Sequence, residues 1–261
     1  MKKFSRLDYA YAVGRIRVME RSLIQKAIFL EALETADFAS ALKVVYEAGR
    51  YPEDLIKAGN PAELDAVLEA ESRTLDQEMA DLIPETDVLN AFLRRDEPEV
   101  ALHAARRSGY PFLVDYLRHR IDLGNIKLLV RAKYSGRSSD FLKARLLPGG
   151  RIEPETLVGI FSLPLGEIGQ GLRASAYFDI LTHGADALEE RETFVVLEKE
   201  MENFLMAYLR GARRFTFGPE PVFAYAEAKR KEHRLIRLIG VGKFLLLPAD
   251  RLKERVSETY V

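Results

Sequence analysis

Three features of this 261-residue sequence predict an all-α fold. No stretch sustains the apolar-polar alternation of a half-buried strand between hairpin turns. Apolar residues instead recur at three- and four-residue intervals over most of the chain. Prolines and short polar caps divide the rest into helix-sized pieces.

From Leu7 to Leu33 the series Leu7, Tyr11, Ile16, Leu23, Ala27 and Leu30 keeps helical spacing. Ser22 and Gln25 read as a capping box inside that stretch, which predicts two helices. The next helix runs from Asp37 to Ala48 and stops at Gly49. Asn60, Pro61 and Glu63 then supply an N-cap, a first-turn proline and a capping acid for a long helix toward Leu82. Pro84, Pro98 and Pro111 punctuate shorter helices, and the one entered at Pro111 runs to Tyr134, ahead of Gly136. Leu146-Leu147-Pro148-Gly149-Gly150 is the clearest loop, after which Glu153-Pro154-Glu155 restarts a helix that Pro164 ends. Ala187 to Leu209 reads as one amphipathic helix, with Phe194, Leu197, Met201, Phe204, Leu205 and Tyr208 opposite Glu198, Lys199 and Glu202. Gly218-Pro219-Glu220-Pro221 launches a penultimate helix, and Pro248 starts a last short one. The lack of a Pro/Gly/Ser-rich linker predicts one compact all-α unit over residues 1–261.

With 48% hydrophobic residues the chain can bury a substantial core. Its 39 Lys and Arg residues nearly balance its 40 Asp and Glu residues, so no global field favours nucleic acid or an anionic membrane. The absence of cysteine excludes disulfides, thiolate metal sites and thiol catalysis, and is compatible with a reducing cytoplasm. Lys2-Lys3 opens the chain as an export signal does, but Arg6, Asp8 and Arg15 interrupt any apolar core, so no export signal is expected. The greasiest stretch, Leu235 to Ala249, holds Arg237, Lys243 and Pro248 and falls short of the ~20 apolar residues of a membrane helix. Direct membrane insertion is not expected; seating on a membrane protein is compatible with the sequence.

Motifs of chemistry mostly fail. Gly240-Val241-Gly242-Lys243 imitates a phosphate loop, but Arg237 stands where that loop needs glycine and Phe244 where it needs Ser or Thr. It reads as a turn at a helix C-terminus. Gly166 to Gly171 lacks the preceding strand of a dinucleotide site. His103, His119, His183 and His233 stand singly, without metal-ligand spacing. Glu189 and Glu190 are adjacent on a helix and diverge, which reads as solvated surface. The basic runs Arg106-Arg107, Arg213-Arg214 and Lys229-Arg230-Lys231 read as helix C-termini or wet faces. No catalytic residue, metal ligand or cofactor site is expected.

Two polar constellations remain. Asp122, Asn125, Lys127 and Arg131 share one helix, where Asn125 lies beside Ile121, Leu128 and Leu129. A buried amide needs partners, so Asn125 is expected to tie this helix to a neighbour. Asp87 and Asn90 give a weaker echo. On the penultimate helix the stripe Val222, Tyr225, Lys229, Glu232, Ile236, Ile239 is apolar at both ends and charged at its centre. Either Lys229 and Glu232 pair as an internal fastener, or the centre of that helix faces water.

In their order along the chain these residues resemble the subunit of rotary V-type and A-type ATPases called C in archaea and bacteria and d in eukaryotes. Tyr9 to Arg17 is similar to the family's Tyr-x-x-(Ala/Gly)-Arg-(Ile/Val)-Arg opening. Asp122-x-x-Asn125-Ile126-Lys127-x-Leu129-x-Arg131-Ala132-Lys133 with Gly136, and then Leu147-Pro148-Gly149-Gly150, resemble its inner-helix motif and following loop. Tyr225, Lys229, Glu232, Arg237, Ile239, Gly242-Lys243, Leu247-Pro248 and Tyr260-Val261 resemble its C-terminal signature.

The resemblance implies related helical modules about a pseudo-threefold axis, here 1–85, 86–183 and 184–261, forming a funnel-like socket. Family members are longer by roughly one module, and here thirty-five positions separate Asp87 from Asp122, so a shortened middle module is expected. The implied role is a non-catalytic central-stalk subunit on the cytoplasmic face of the membrane, peripheral, coupling a shaft of subunits D and F to the proteolipid ring. In that role Asp122, Asn125, Lys127, Arg131, Lys229, Glu232 and Arg237 would be structural polar pins. A helical scaffold or adaptor unrelated to rotary motors, and a helical hydrolase or transferase, are the competing classes.

Overall fold

Several helix starts in this molecule are set by residues whose capping chemistry is visible in the sequence. The computed structural model describes residues 4–261, and among the described residues every regular element is helical. Lys2 and Lys3, whose charge resembles the opening of an export signal, lie outside them.

A 3-10 turn at Arg6–Tyr9 leads into α1 (Ala10–Met19), and a second at Glu20–Ser22 closes it ahead of α2 (Lys26–Glu34). The Asp37 carboxylate accepts the Ser40 N–H at 2.8 Å and starts α3 (Phe38–Ala48), which is followed by the short α4 (Asp54–Lys57). At the head of α5 (Pro61–Leu82), Asn60 Oδ1 accepts from the Glu63 N–H at 3.0 Å, and the Glu63 carboxylate accepts from the Gly59 N–H at 2.7 Å. α6 (Thr86–Leu93), α7 (Pro98–Ser108) and α8 (Pro111–Tyr134) follow their prolines. α8 ends where Gly136 turns left-handed at φ 63° and the Arg137 N–H returns to the Ala132 carbonyl at 2.9 Å. α9 (Ser139–Lys143), α10 (Pro154–Ile160), a 3-10 stretch at Leu165–Leu172, α11 (Phe178–Arg191) and α12 (Val195–Arg210) come next. A 3-10 turn at Gly211–Arg214, α13 (Glu220–Phe244) and α14 (Ala249–Lys253) complete the order.

The structure corrects four sequence expectations. The Ser22/Gln25 capping box does not form, because Ser22 belongs to the turn closing α1 and its hydroxyl donates to the Met19 carbonyl at 2.8 Å. The long helix expected over Ala187 to Leu209 is two helices. Glu192 turns left-handed at φ 51°, and Gly184 of α11 has no room for a side chain against Leu197 of α12. Residues 240–243 are not a turn: α13 continues through them, and the chain reverses at Leu245–Leu247 with Leu246 at φ 54°. Gly240 and Gly242 are there for close packing, since a Cβ on either would run into Leu64 or Leu252 respectively. The Lys229-Arg230-Lys231 run is buried rather than wet.

The chain divides into two compact units, Met1–Leu89 with Met206–Val261, and Asn90–Leu205. The first packs α2, α3 and α5 against α13, with α4 on α3 and α5, and its core includes Phe29, Leu33, Leu42, Val45, Leu64, Leu235, Ile236 and Ile239. The second packs α8 to α11 and the start of α12 on a core that includes Leu123, Ile126, Leu129, Leu157, Ile168, Leu181 and Leu197. Each unit therefore has one long helix, α13 or α8, with polar residues in its buried part.

Candidate functional site

α8 carries the first polar cluster. Asp122 is fully buried, and a buried carboxylate is tolerated only when its lone pairs are met. Oδ1 accepts from the Arg151 and Ile152 N–H groups at 2.9 and 3.0 Å, and Oδ2 accepts from the Tyr177 hydroxyl at 2.7 Å. Since the Tyr177 proton goes to Asp122, His119 Nδ1, at 2.6 Å from the same phenol oxygen, must be the donor to it. Burial holds the His119 pKa below its ordinary value, which keeps the ring neutral, while burial and Asp122 push the Tyr177 phenol up. The helix, the loop at Arg151 and the segment at Tyr177 are thus locked around one carboxylate that has no cation in its hydrogen-bond set.

One turn along, Asn125 grips the loop that follows. Its Nδ2 donates to the Leu147 carbonyl at 2.8 Å and its Oδ1 accepts from the Leu147 N–H at 2.9 Å, so the amide is satisfied as a neighbouring strand would satisfy it. The neighbour it ties is the loop at Leu147. Gly149 is left-handed at φ 93°, and a side chain on Gly150 would run into the Asp122 carboxylate, so both glycines are needed for this loop to lie on α8. Arg118 donates to the Gly150 carbonyl at 3.1 Å and completes the attachment. Lys127 and Arg131 lie elsewhere: both reach Glu198 of α12 at 2.7 Å with their heads at the surface, where such pairs contribute little.

α13 carries the second cluster, and it is denser. Every residue from Glu220 to His233 is buried, including Glu220, Glu227 and Glu232 against Lys229, Arg230 and Lys231, a charge-balanced set. Glu232 is its centre. Its Oε2 accepts from Lys229 Nζ and from the Tyr51 hydroxyl, each at 3.0 Å, and its Oε1 accepts from the Ile24 N–H. The Lys229 ammonium also lies 3.8 Å from the centre of the Tyr51 ring, a cation-π contact that satisfies its remaining face. Burial raises the Glu232 carboxyl above its usual range even though Lys229 and the hydrogen bonds pull the other way. Of the two readings open in the sequence, the geometry matches the internal pair.

Around that centre, Arg230 bridges Glu227 and Asp76 of α5 at 2.7 Å each, and Lys231 donates to Ser257. His233 Nδ1 lies 3.1 Å from Ser72 Oγ, whose own proton goes to the Leu68 carbonyl, so Nδ1 carries the hydrogen. Burial and the cations around it pull the His233 pKa down to about 3. Arg237 meets Asp65 at 2.5 Å, with both side chains more than 40% exposed, so it is a surface pair. The C-terminal residues are drawn into the same unit: Tyr260 donates to Glu20 at 3.0 Å and Arg210 to the Thr259 carbonyl at 3.1 Å.

Tyr177, Tyr51, His119, His233 and Ser257 were not expected from the sequence to take part in either cluster. Nothing in their own neighbourhoods marks them; of the groups these two clusters are built on, Asn125 and the pair of Lys229 and Glu232 were visible as misfits on apolar faces. Asp87 and Asn90 are half-buried and belong to neither cluster. Among the described residues no group of His, Asp and Glu is placed to hold a metal ion, and no helix is long and apolar enough to cross a membrane.

Known proteins resemble this chain over much of its length. The model of the ATP synthase (C/AC39) subunit family matches residues 99–255. The C subunit of the V-type sodium ATPase of Enterococcus hirae is 30% identical over 152 residues, covering 58% of this chain and 46% of its own length. The C subunit of the A-type ATP synthase of Methanocaldococcus jannaschii is 24% identical over 252 residues, covering 96% of this chain and 58% of its own. That of Haloquadratum walsbyi is 25% identical, covering 87% and 73%. The chain spans about half the length of the first two relatives it matches.

Proposed function

We propose that this chain, which belongs to the ATP synthase (C/AC39) subunit family, is a non-catalytic central-stalk subunit of a rotary V- or A-type ATPase. It couples the shaft, subunits D and F, to the proteolipid ring at the cytoplasmic face of the membrane, without inserting into the bilayer. The observation that carries this reading is the family match over residues 99–255, together with relatives named as the C subunits of V-type and A-type complexes.

The interior suits the role. A coupler transmits torque, and torque is shear between packed helices, which apolar contacts resist weakly because they are non-directional. Hydrogen bonds to a buried carboxylate have a fixed geometry and are roughly twice as strong as neutral ones. Asp122 and Glu232 pin α8 and α13 in that way, and the neutral pair of bonds from Asn125 to Leu147 adds a second directional tie on α8. Lys127, Arg131 and Arg237 are surface ties of the same helices. The three-module, funnel-like arrangement over 1–85, 86–183 and 184–261, with a shortened middle module, belongs to the same proposal. A helical scaffold unrelated to rotary motors is the alternative reading, and no observation favours it over family membership.

Fractionation tests the proposal. The protein is expected to sediment with membranes and to leave them, on chaotrope treatment, in company with ATPase head subunits. Recovery in the soluble fraction alone, free of ATPase subunits, contradicts it.

A further inference from the structure

The outer face of α1 and its leading turn is built for something that the described residues do not supply. Ala12, Val13, Ile16 and Met19 turn inward. On the opposite side Leu7, Tyr11 and Val18 are 65%, 74% and 69% exposed, and Gly14 lies between them with open space where its side chain would be. Within α1 the steps between Tyr11, Gly14 and Val18 are three and four residues, the seam spacing of one helix packed lengthwise on another, and Leu7 of the leading 3-10 turn stands four residues ahead of Tyr11. Isolated exposed apolar residues need no explanation, but an aligned row of them does.

Gly14 sharpens the case. Glycine weakens a helix interior, and where it serves a helix it does so by admitting a close neighbour. Gly14 admits no neighbour among the described residues. Its position between two large apolar residues makes it the hole of a knob-and-hole seam whose knob is absent.

Charge selects the partner. The acids of this face are engaged: Asp8 accepts from the Ser5 N–H at 2.7 Å, and Glu20 accepts from Arg17 at 2.8 Å and from the Tyr260 hydroxyl at 3.0 Å. Arg6 and Arg17 are likewise held, by Glu220 and Glu20, but two further bases are less committed. Arg15 is only loosely held, 3.6 Å from Glu78 with 45% of its side chain exposed, and Arg21 is exposed with no ion-pair partner among the described residues. Both flank Val18, so the C-terminal half of the seam presents net positive charge.

We propose that the Leu7-Tyr11-Gly14-Val18 face is a docking surface for an amphipathic α-helix of another polypeptide, whose apolar seam is flanked by acidic residues. A second copy of this chain would bring the same under-paired arginines with its seam and is the disfavoured occupant. None of this depends on the rotary reading, since it rests on the row, the glycine and the charges alone.

The test uses the full chain and two synthetic four-heptad peptides with leucine at the core positions, one flanked by glutamate and its twin by lysine. The glutamate peptide is expected to bind about tenfold or more tightly than the lysine twin, and less tightly as salt rises. Tyr11→Glu should lose that binding with an unchanged Tm, because the ring is already in water. Gly14→Ala is the more diagnostic variant: it should raise Tm by improving the helix and yet weaken binding, a split that a purely structural glycine would not produce. Equal binding of both peptides, no binding, or binding untouched by both variants overturns the proposal. So does a wild-type dimer in sedimentation that Tyr11→Glu dissolves, which assigns the face to a second copy.

Discussion

Asp122 on α8 and Glu232 on α13 solve the same problem with different means. Each is a buried carboxylate on the longest helix of its unit, each accepts a backbone N–H and a tyrosine hydroxyl, and each tyrosine has a buried neutral histidine against it. Asp122 gathers its donors from within 55 residues and has no cation among them. Glu232 reaches 181 residues back to Tyr51 and 208 to Ile24, and adds Lys229. Reach and charge go together here. A local loop is held to its carboxylate by neutral donors alone, whereas the carboxylate that closes distant parts of the chain onto one helix also takes a cation from that helix.

The largest effect should come from breaking the charged clasp. Glu232→Ala strands Lys229 and leaves the Tyr51 hydroxyl and Ile24 N–H without an acceptor, and about 3 to 5 kcal/mol of unfolding free energy should be lost in urea titration. The double variant Lys229→Met with Glu232→Gln should be less destabilised than Glu232→Ala alone, because no uncompensated charge remains; a larger loss would mean the ion pair is not the core of the clasp. Asp122→Ala should cost less, about 2 to 3 kcal/mol, since the groups it leaves unpaired are neutral. Asp122→Asn should recover part of that loss, because one oxygen acceptor survives.

Protonation gives the next comparison. The folded His233 titrates at about 3 against an ordinary value of 6.5, so the unfolded chain takes up a proton that the folded chain refuses. The stability it contributes is fully present above pH 6.5 and is lost as pH falls toward 3, about 2 kcal/mol of it between pH 6.5 and 5. Glu232 has the opposite sign: its carboxyl is raised, so its contribution is fully present below the ordinary 4.5 and is lost as pH rises through its folded value. The wild-type minus His233→Asn difference isolates the histidine, and the variant should show a flatter stability profile over that window. An unchanged slope would place the ring in contact with water.

Smaller effects test the edges. Gly150→Ala should cost about 1 to 3 kcal/mol by pushing a methyl group against Asp122, which a thermal melt would register as a lowered Tm. Arg237→Ala should change stability by less than about 1 kcal/mol, because its pair with Asp65 is solvated, and added salt should erase even that. An Arg237 loss as large as that of Glu232 would erase the distinction between buried and surface ties.

Helix existence and several ends were legible in the sequence because caps and prolines act locally: Asn60, Asp37, Pro111 and Gly136 each sit where their chemistry predicts. Asn125 and Glu232 were legible as polar residues on apolar faces, and Asp122 as a member of the same helical constellation as Asn125. Their partners were not, because Tyr177, Tyr51 and Ile24 are brought in by tertiary packing that leaves no trace in spacing. For the same reason local pattern could not separate Lys229, which is buried, from Lys127, Arg131 and Arg237, which end at the surface. Residues 240–243 misled in the other direction. Two glycines suggested a turn, and their use is close packing within an unbroken helix.

In the proposed role these clasps serve a mechanical coupler, not a catalyst, and the most direct measurement is ion transport per ATP hydrolysed in membranes depleted of the chain and then resupplied with it. Depletion should abolish transport while the ATPase head retains hydrolysis, wild-type protein should restore transport, and Glu232→Ala should restore less of it at temperatures where the variant loosens. Transport that persists without the chain, or hydrolysis by the isolated head that requires it, would contradict that role.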